Sequence, residues 1–173
     1  MNVLPVFKKI KVFVLDVDGV LTDSSVLVLN NGEMARRMNI KDGYALQLAV
    51  KKGYKVLIIS GGTSEAVKIR MQKLGIEDVY LGIHDKKEIL LNYVKQHNLL
   101  WEQVLYMGDD IPDLDVMKLA GLACCPIDAV SEIKQISHYV SPVSGGEGCV
   151  RDVVEKVMKL NDHWTHDTGT AAI

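Results

Sequence analysis

Cysteine is scarce in this chain: Cys124, Cys125 and Cys149 are three in 173 residues, an odd number with no zinc-ligand spacing. That argues against a disulfide framework and points to buried thiols in a reducing cytoplasm. Aromatic residues make up only 6%, too few for a base-stacking platform. A basic excess is missing as well, since the formal charge of -2 provides no footprint for nucleic acid. Long apolar runs are absent, and Val56-Leu57-Ile58-Ile59 is strand-sized, far short of a membrane span. The opening Met1-Asn2-Val3-Leu4-Pro5-Val6-Phe7-Lys8-Lys9 lacks the charged-then-apolar order of a signal peptide. A cytoplasmic protein is therefore expected, with neither nucleic acid nor membrane as partner.

What remains is an ordinary globular composition, 48% hydrophobic and 24% charged, long enough to bury one sizeable core. Strand-like runs at 12–16, 55–60, 79–81, 104–107 and 121–124, with a weaker one at 138–140, alternate with helical periodicity at 44–52, 64–74, 86–97, 111–119, 129–136 and 150–160. Such alternation predicts an α/β fold: a three-layer, Rossmann-like parallel sheet with helices on both faces. One segment departs from it. Around Asn30-Asn31-Gly32 the flanks read as strands, and the Asn-Gly pair, both of whose positions tolerate positive φ, predicts an inserted β-hairpin over about residues 24–39. Residues 1–162 then form a single domain. The segment 163–173 is small and polar, a flexible tail unless it docks.

Four polar groups follow strand-like runs. The first, Asp16-Val17-Asp18-Gly19, places two carboxylates two residues apart, on one side of an extended chain, before a glycine that permits a sharp exit. Buried like charges repel unless a proton or a cation intervenes. The second, Ser60-Gly61-Gly62, offers a hydroxyl and backbone amides leading into a helix, a natural phosphate cradle. The third is Lys86, a point charge suited to a phosphoryl group. The fourth, Gly108-Asp109-Asp110-Ile111-Pro112-Asp113, holds more acid than one helix cap can use, which suits an oxygen-preferring cation such as Mg²⁺. Each group alone has an ordinary structural explanation: an aspartate turn, an N-cap, a surface lysine. Their joint appearance at four strand ends does not.

On these residues the chain resembles the haloacid dehalogenase superfamily of phosphotransferases. Within it, the chain is similar to the small capless branch that includes the 3-deoxy-D-manno-octulosonate 8-phosphate phosphatases, from about Phe13 to Leu160 and including Asn39-Ile40-Lys41-Asp42-Gly43-Tyr44 and Gly145-Gly146-Glu147-Gly148. The resemblance implies a Mg²⁺-dependent phosphatase acting on a sugar-acid phosphate in lipopolysaccharide precursor synthesis. It makes Asp16 the nucleophile, giving an aspartyl-phosphate, and Asp18 the acid and then the base. Mg²⁺ would be held by Asp16, the carbonyl of Asp18 and Asp109, with Asp110 and Asp113 behind them, while Ser60 and Lys86 bind phosphoryl oxygens. It also implies a homotetramer, whose hairpins supply the wall that a missing lid domain would. Gly61, Gly62, Arg70 and Asp42 are expected toward substrate, Arg70 suiting a carboxylate. Glu147 departs from the basic residue common at that place and favours phosphatases of nine-carbon acids such as 2-keto-3-deoxy-nonulosonate 9-phosphate; Gly62 favours the eight-carbon branch. A silent oligomerisation module is a further alternative, disfavoured by the intact acidic set.

Overall fold

A computed structural model describes residues 3–165 and 167–173. The apolar run after the short helix α1 (Leu4–Phe7) forms β1 (Val12–Leu15), buried at all four positions because strands lie on both sides of it and helices cover both faces. After it comes a hairpin of β2 (Leu27–Val28) and β3 (Met34–Ala35), and then α2 (Ile40–Lys51) and β4 (Lys55–Ile59). The remaining chain continues through α3 (Glu65–Lys73), β5 (Asp78–Tyr80), α4 (Lys86–Gln96) and β6 (Val104–Met107). It ends with α5 (Leu114–Met117), β7 (Leu122–Cys125), α6 (Ser131–Ile136), β8 (Tyr139–Val140) and α7 (Cys149–Leu160). Six strands make one parallel sheet in the order β5-β4-β1-β6-β7-β8, with Val14 beside both Leu57 and Tyr106. The expected fold class is the observed one.

Alternation along the strands divides the core. Phe13, Leu15, Ile58, Leu105 and Met107 face α2, α3 and α7, whereas Val14, Leu57, Ile59, Val104 and Tyr106 face α4, α5 and α6. Each fully buried Val, Leu or Ile contributes about 1.5–3 kcal/mol, so both layers are needed to hold the central strands.

Boundaries differ from the sequence reading in explicable ways. Helix α2 starts four residues earlier than expected, because the Asn39 side chain caps it by accepting from the Lys41 amide at 2.8 Å; Gly43 in its first turn had masked the start. The run 111–119 divides into a tight turn at Ile111–Asp113 and α5, since Pro112 sits in that turn. Between Leu29 and Glu33 only Gly32 has positive φ, +85°; the Leu29 amide bonds the Glu33 carbonyl and the Gly32 amide the Leu29 carbonyl. This is a three-residue loop closed by a left-handed glycine, not a two-residue Asn-Gly turn. The described residues of the tail rest on α2 and α3: Tyr44 Oη donates to the Asp167 carbonyl, Gln47 to that of Ala171, and Arg70 to that of Ile173 at 2.7 Å. Arg151 stacks over the rings of Tyr44 and Trp164.

Because the sheet is parallel, the carboxyl ends of its strands share one edge, and the connecting loops collect there. Loop 143–148 lies directly on the turn that leaves β1. The Gly146 amide donates to the Val20 carbonyl at 3.0 Å, and a Cβ on Gly145 would come within 2.0 Å of the Gly19 carbonyl oxygen. Gly145→Ala is therefore expected to cost about 1–3 kcal/mol or more in denaturant unfolding. Gly61→Ala, whose methyl would meet only the Ile83 carbonyl at 3.6 Å, is expected to leave stability nearly unchanged.

Candidate active site

Asp16 ends β1, and its carboxylate is committed on both oxygens. Oδ1 accepts from the Val17 amide at 2.6 Å, and Oδ2 lies 2.8 Å from Lys86 Nζ. Lys86 is the first residue of α4 yet is buried, and it lies equally close, at 2.8 Å, to the fully buried Asp113. Asp113 also accepts from the Tyr106 hydroxyl at 2.7 Å and from the Asp109 amide at 3.2 Å. Burial drives the Tyr106 hydroxyl far above its usual range, so it stays protonated and donates. Asp113 thus serves as the counter-charge that orients Lys86 and the Asp109 loop, and Gly108 leaves it room, since a Cβ there would come within 2.5 Å of its side chain.

Asp109 closes over the turn after β1. Its carboxylate lies against Gly19, where a Cβ would sit 1.9 Å from Oδ2, and Gly19 at φ +86° is the residue able to take that conformation. Carboxylate oxygens of Asp16, Asp109 and Asp113 lie within 4.8 Å of one another. Burial first, then the charge of Asp113, pushes the Asp16 carboxyl up to about 7 against the pull of Lys86. Burial, Asp113 and Asp110 raise Asp109 to about 7 in the same way. Burial alone would pull Lys86 down, but Asp113 and Asp16 together hold it above its usual range. Carboxylates this reluctant to ionise, with oxygens converging, fit an oxygen-liganded divalent cation such as Mg²⁺. Asp109 has an oxygen to offer it and Asp16 can share one that it already uses, whereas those of Asp113 are engaged by three donors.

These groups open on a cavity of about 480 Å³ whose lining includes Asp16, Asp18, Ser60, Gly61, Gly62 and Lys86 together with Asp109, Asp110 and Ser24. Ser60 is buried at the end of β4, its Oγ accepting from the Gly62 amide at 3.2 Å. The carbonyls of Ser60 and Gly62 accept from the amides of Ile83 and Gly82, which ties this loop to the one before Lys86. Asp110 caps the following turn through the Ile111 amide at 2.7 Å. Two residues expected toward substrate lie elsewhere in the subunit. Buried Asp42 accepts from the Arg151 amide at 2.7 Å, capping α7, whose own N-cap residue is Gly148. Arg70 binds the tail and lines a separate groove of about 390 Å³ between the hairpin and α3. Glu147 bonds Arg37 of the hairpin at 2.6 Å. Sequence reasoning missed Tyr106, although a tyrosine in the middle of a fully buried strand is a signal that its hydroxyl has a partner. It also missed Arg36, which no pattern separates from Arg37 beside it.

No protein-family model matches the chain. It is 33% identical over 157 residues to the 3-deoxy-D-manno-octulosonate 8-phosphate phosphatase of Escherichia coli K12, covering 91% of this chain and 84% of that protein. Among solved structures, that of 3-deoxy-D-manno-octulosonate 8-phosphate phosphatase from Moraxella catarrhalis, in complex with magnesium, phosphate and KDO, superposes with a TM-score of 0.90 at 31% identity, covering 94% of each chain. The cobalt-bound form of the corresponding Haemophilus influenzae phosphatase gives 0.87 at 29% identity, covering 91% of this chain and 92% of that one.

The charge cluster sets a pH dependence. Asp16 and Asp109 hold their protons to higher pH folded than unfolded, so the folded chain is favoured at low pH and loses that advantage as pH rises through about 7. In chelator, the thermal midpoint is expected to fall between about pH 5 and about pH 8, and millimolar Mg²⁺ to restore it mainly at the upper end. Asp109→Asn should flatten the chelator profile and abolish the Mg²⁺ shift; an undiminished shift would remove Asp109 from the cation site.

Proposed function

This chain belongs to the 3-deoxy-D-manno-octulosonate 8-phosphate phosphatase family of the haloacid dehalogenase superfamily, and from that premise we propose that it hydrolyses the 8-phosphate of this sugar acid to free sugar acid and phosphate. The observation that carries the reading is the convergence of Asp16, Ser60, Lys86 and Asp109 on one cavity. A phosphate dianion entering it meets the Lys86 ammonium 2.8 Å from the carboxylate that attacks. An oxygen of Asp16 bonds to phosphorus in line, and the bond from phosphorus to the sugar oxygen breaks. Asp18, on the same wall, gives that oxygen its proton. In the second half a water attacks phosphorus, its proton passes to Asp18, and phosphate leaves as the Asp16 carboxylate is restored. Mg²⁺, held by Asp16, Asp109 and the Asp18 carbonyl, supplies positive charge that quenches carboxylate repulsion and draws density from the phosphoryl oxygens.

The Ser60 hydroxyl and the Gly61 amide are the donors for the remaining phosphoryl oxygens. We read the enzyme as a cytoplasmic homotetramer. Support comes from the hairpin, where Leu27, Val28 and Met34 are each more than half exposed and offer apolar surface for a neighbouring copy. Glu147 has its charge engaged by Arg37, so it loses force as a marker of nine-carbon substrates.

With Mg²⁺, phosphate release is expected to favour the eight-carbon ester over 2-keto-3-deoxy-nonulosonate 9-phosphate. Asp16→Asn should lower turnover by about 10³-fold or more while the protein stays folded. A preference for the nine-carbon ester would correct the substrate and leave the mechanism. Release from neither, by folded protein, would end the hydrolase reading.

A further inference from the structure

Two arginines stand side by side after β3 and have opposite fates. Arg37 is 71% exposed in its side chain, whereas Arg36 is 9% exposed. Arg36 Nε donates to Asp18 Oδ1 at 2.7 Å and Nη2 to Oδ2 at 3.2 Å, a two-pronged grip on the carboxylate. Its third nitrogen, Nη1, donates to the Met34 carbonyl at 3.0 Å, which fixes the guanidinium to the hairpin itself. The grip closes over Gly62: a Cβ there would come within 3.1 Å of both Arg36 Nη2 and Asp18 Oδ2. Each of the three guanidinium nitrogens thus makes a hydrogen bond, two to Asp18 and one to the hairpin backbone.

We propose that Arg36 is the positioning residue for proton transfer, holding the Asp18 carboxylate on the cavity wall and making its orientation depend on the hairpin. The inference rests on the reading of Asp18 as the group that protonates the leaving oxygen. Of the two bonds, the longer one, to Oδ2, yields more readily, and Oδ2 is the oxygen beside the Gly61-Gly62 loop. Once Oδ2 gives up its bond to Nη2 it can carry the proton and pass it to the leaving oxygen, while the shorter bond to Oδ1 keeps the side chain aimed. A flexible carboxylate without this hold would have to find its orientation anew in each cycle. The hairpin would then act on the chemistry through Arg36.

The test uses leaving groups, because a mere loss of structure slows every ester alike. Nitrophenolate departs with little need of a proton, whereas phenolate and sugar alkoxide need one. The quantity to compare is kcat/KM, which reports steps up to departure of the leaving group. For Arg36→Ala, kcat/KM on phenyl phosphate is expected to fall about tenfold or more, and on the sugar-acid ester about 10²-fold. On p-nitrophenyl phosphate it is expected to remain near that of the parent enzyme. Arg36→Lys keeps the charge without the fork and should recover part of the phenyl phosphate rate; it also serves if the alanine variant fails to fold, judged by thermal unfolding. Equal losses on the two aryl phosphates, or no loss on either, would overturn the proposal. Failure of the parent enzyme on the sugar-acid ester would instead count against the proposed substrate, and the aryl comparison would still decide the role of Arg36.

Discussion

One ammonium between two carboxylates governs this end of the molecule. Lys86 reaches Asp16 and Asp113 at the same distance, 2.8 Å, and all three groups are buried. Lys86 also opens α4, the helix end where a cation is least welcome. Neither feature stabilises a fold by itself, since taking each ion out of water costs several kcal/mol that mutual attraction only partly returns. The local rule is broken where a phosphate must be received, which is where such breaches belong. Two strands, a turn and a helix meet at this triad: β1 through Asp16 at its end, β6 through Tyr106, the turn Ile111–Asp113 through Asp113, and α4 through Lys86. Loss of the ammonium would leave two unpaired buried charges and set those elements against one another.

Glycines make the convergence geometrically possible. Gly19, Gly108 and Gly145 each stand where a Cβ would come within 2.5 Å of a neighbouring chain segment. Gly19 admits Asp109, Gly108 admits Asp113, and Gly145 lets the late loop lie on the turn after β1. Without those approaches the carboxylates would stand too far apart to share a cation.

Much of this was legible in the chain. Strand-helix alternation, the buried run at 12–15 and the four polar groups at strand ends pointed to the parallel sheet and to Asp16, Asp18, Ser60, Lys86 and Asp109, because each motif is local and its period or spacing survives folding. The Asp42 and Arg70 placements did not follow from it. Asp42 is spent on the amide of Arg151, 109 positions away, and Arg70 on the carbonyl of Ile173, 103 positions away. No local pattern announces a partner at that distance.

Sequence by itself therefore determined the elements, the edge at which they would gather their polar groups, and the chemical character of those groups. Tertiary structure decided which charges meet. It set Asp113 behind Lys86 rather than toward solvent, drew Arg36 onto Asp18 while leaving Arg37 exposed, and turned Asp18 toward the hairpin. The physical reason is that secondary structure depends on neighbours within a few residues, whereas the pairing of two charges depends on a separation of a few ångströms that only packing of the whole sheet establishes.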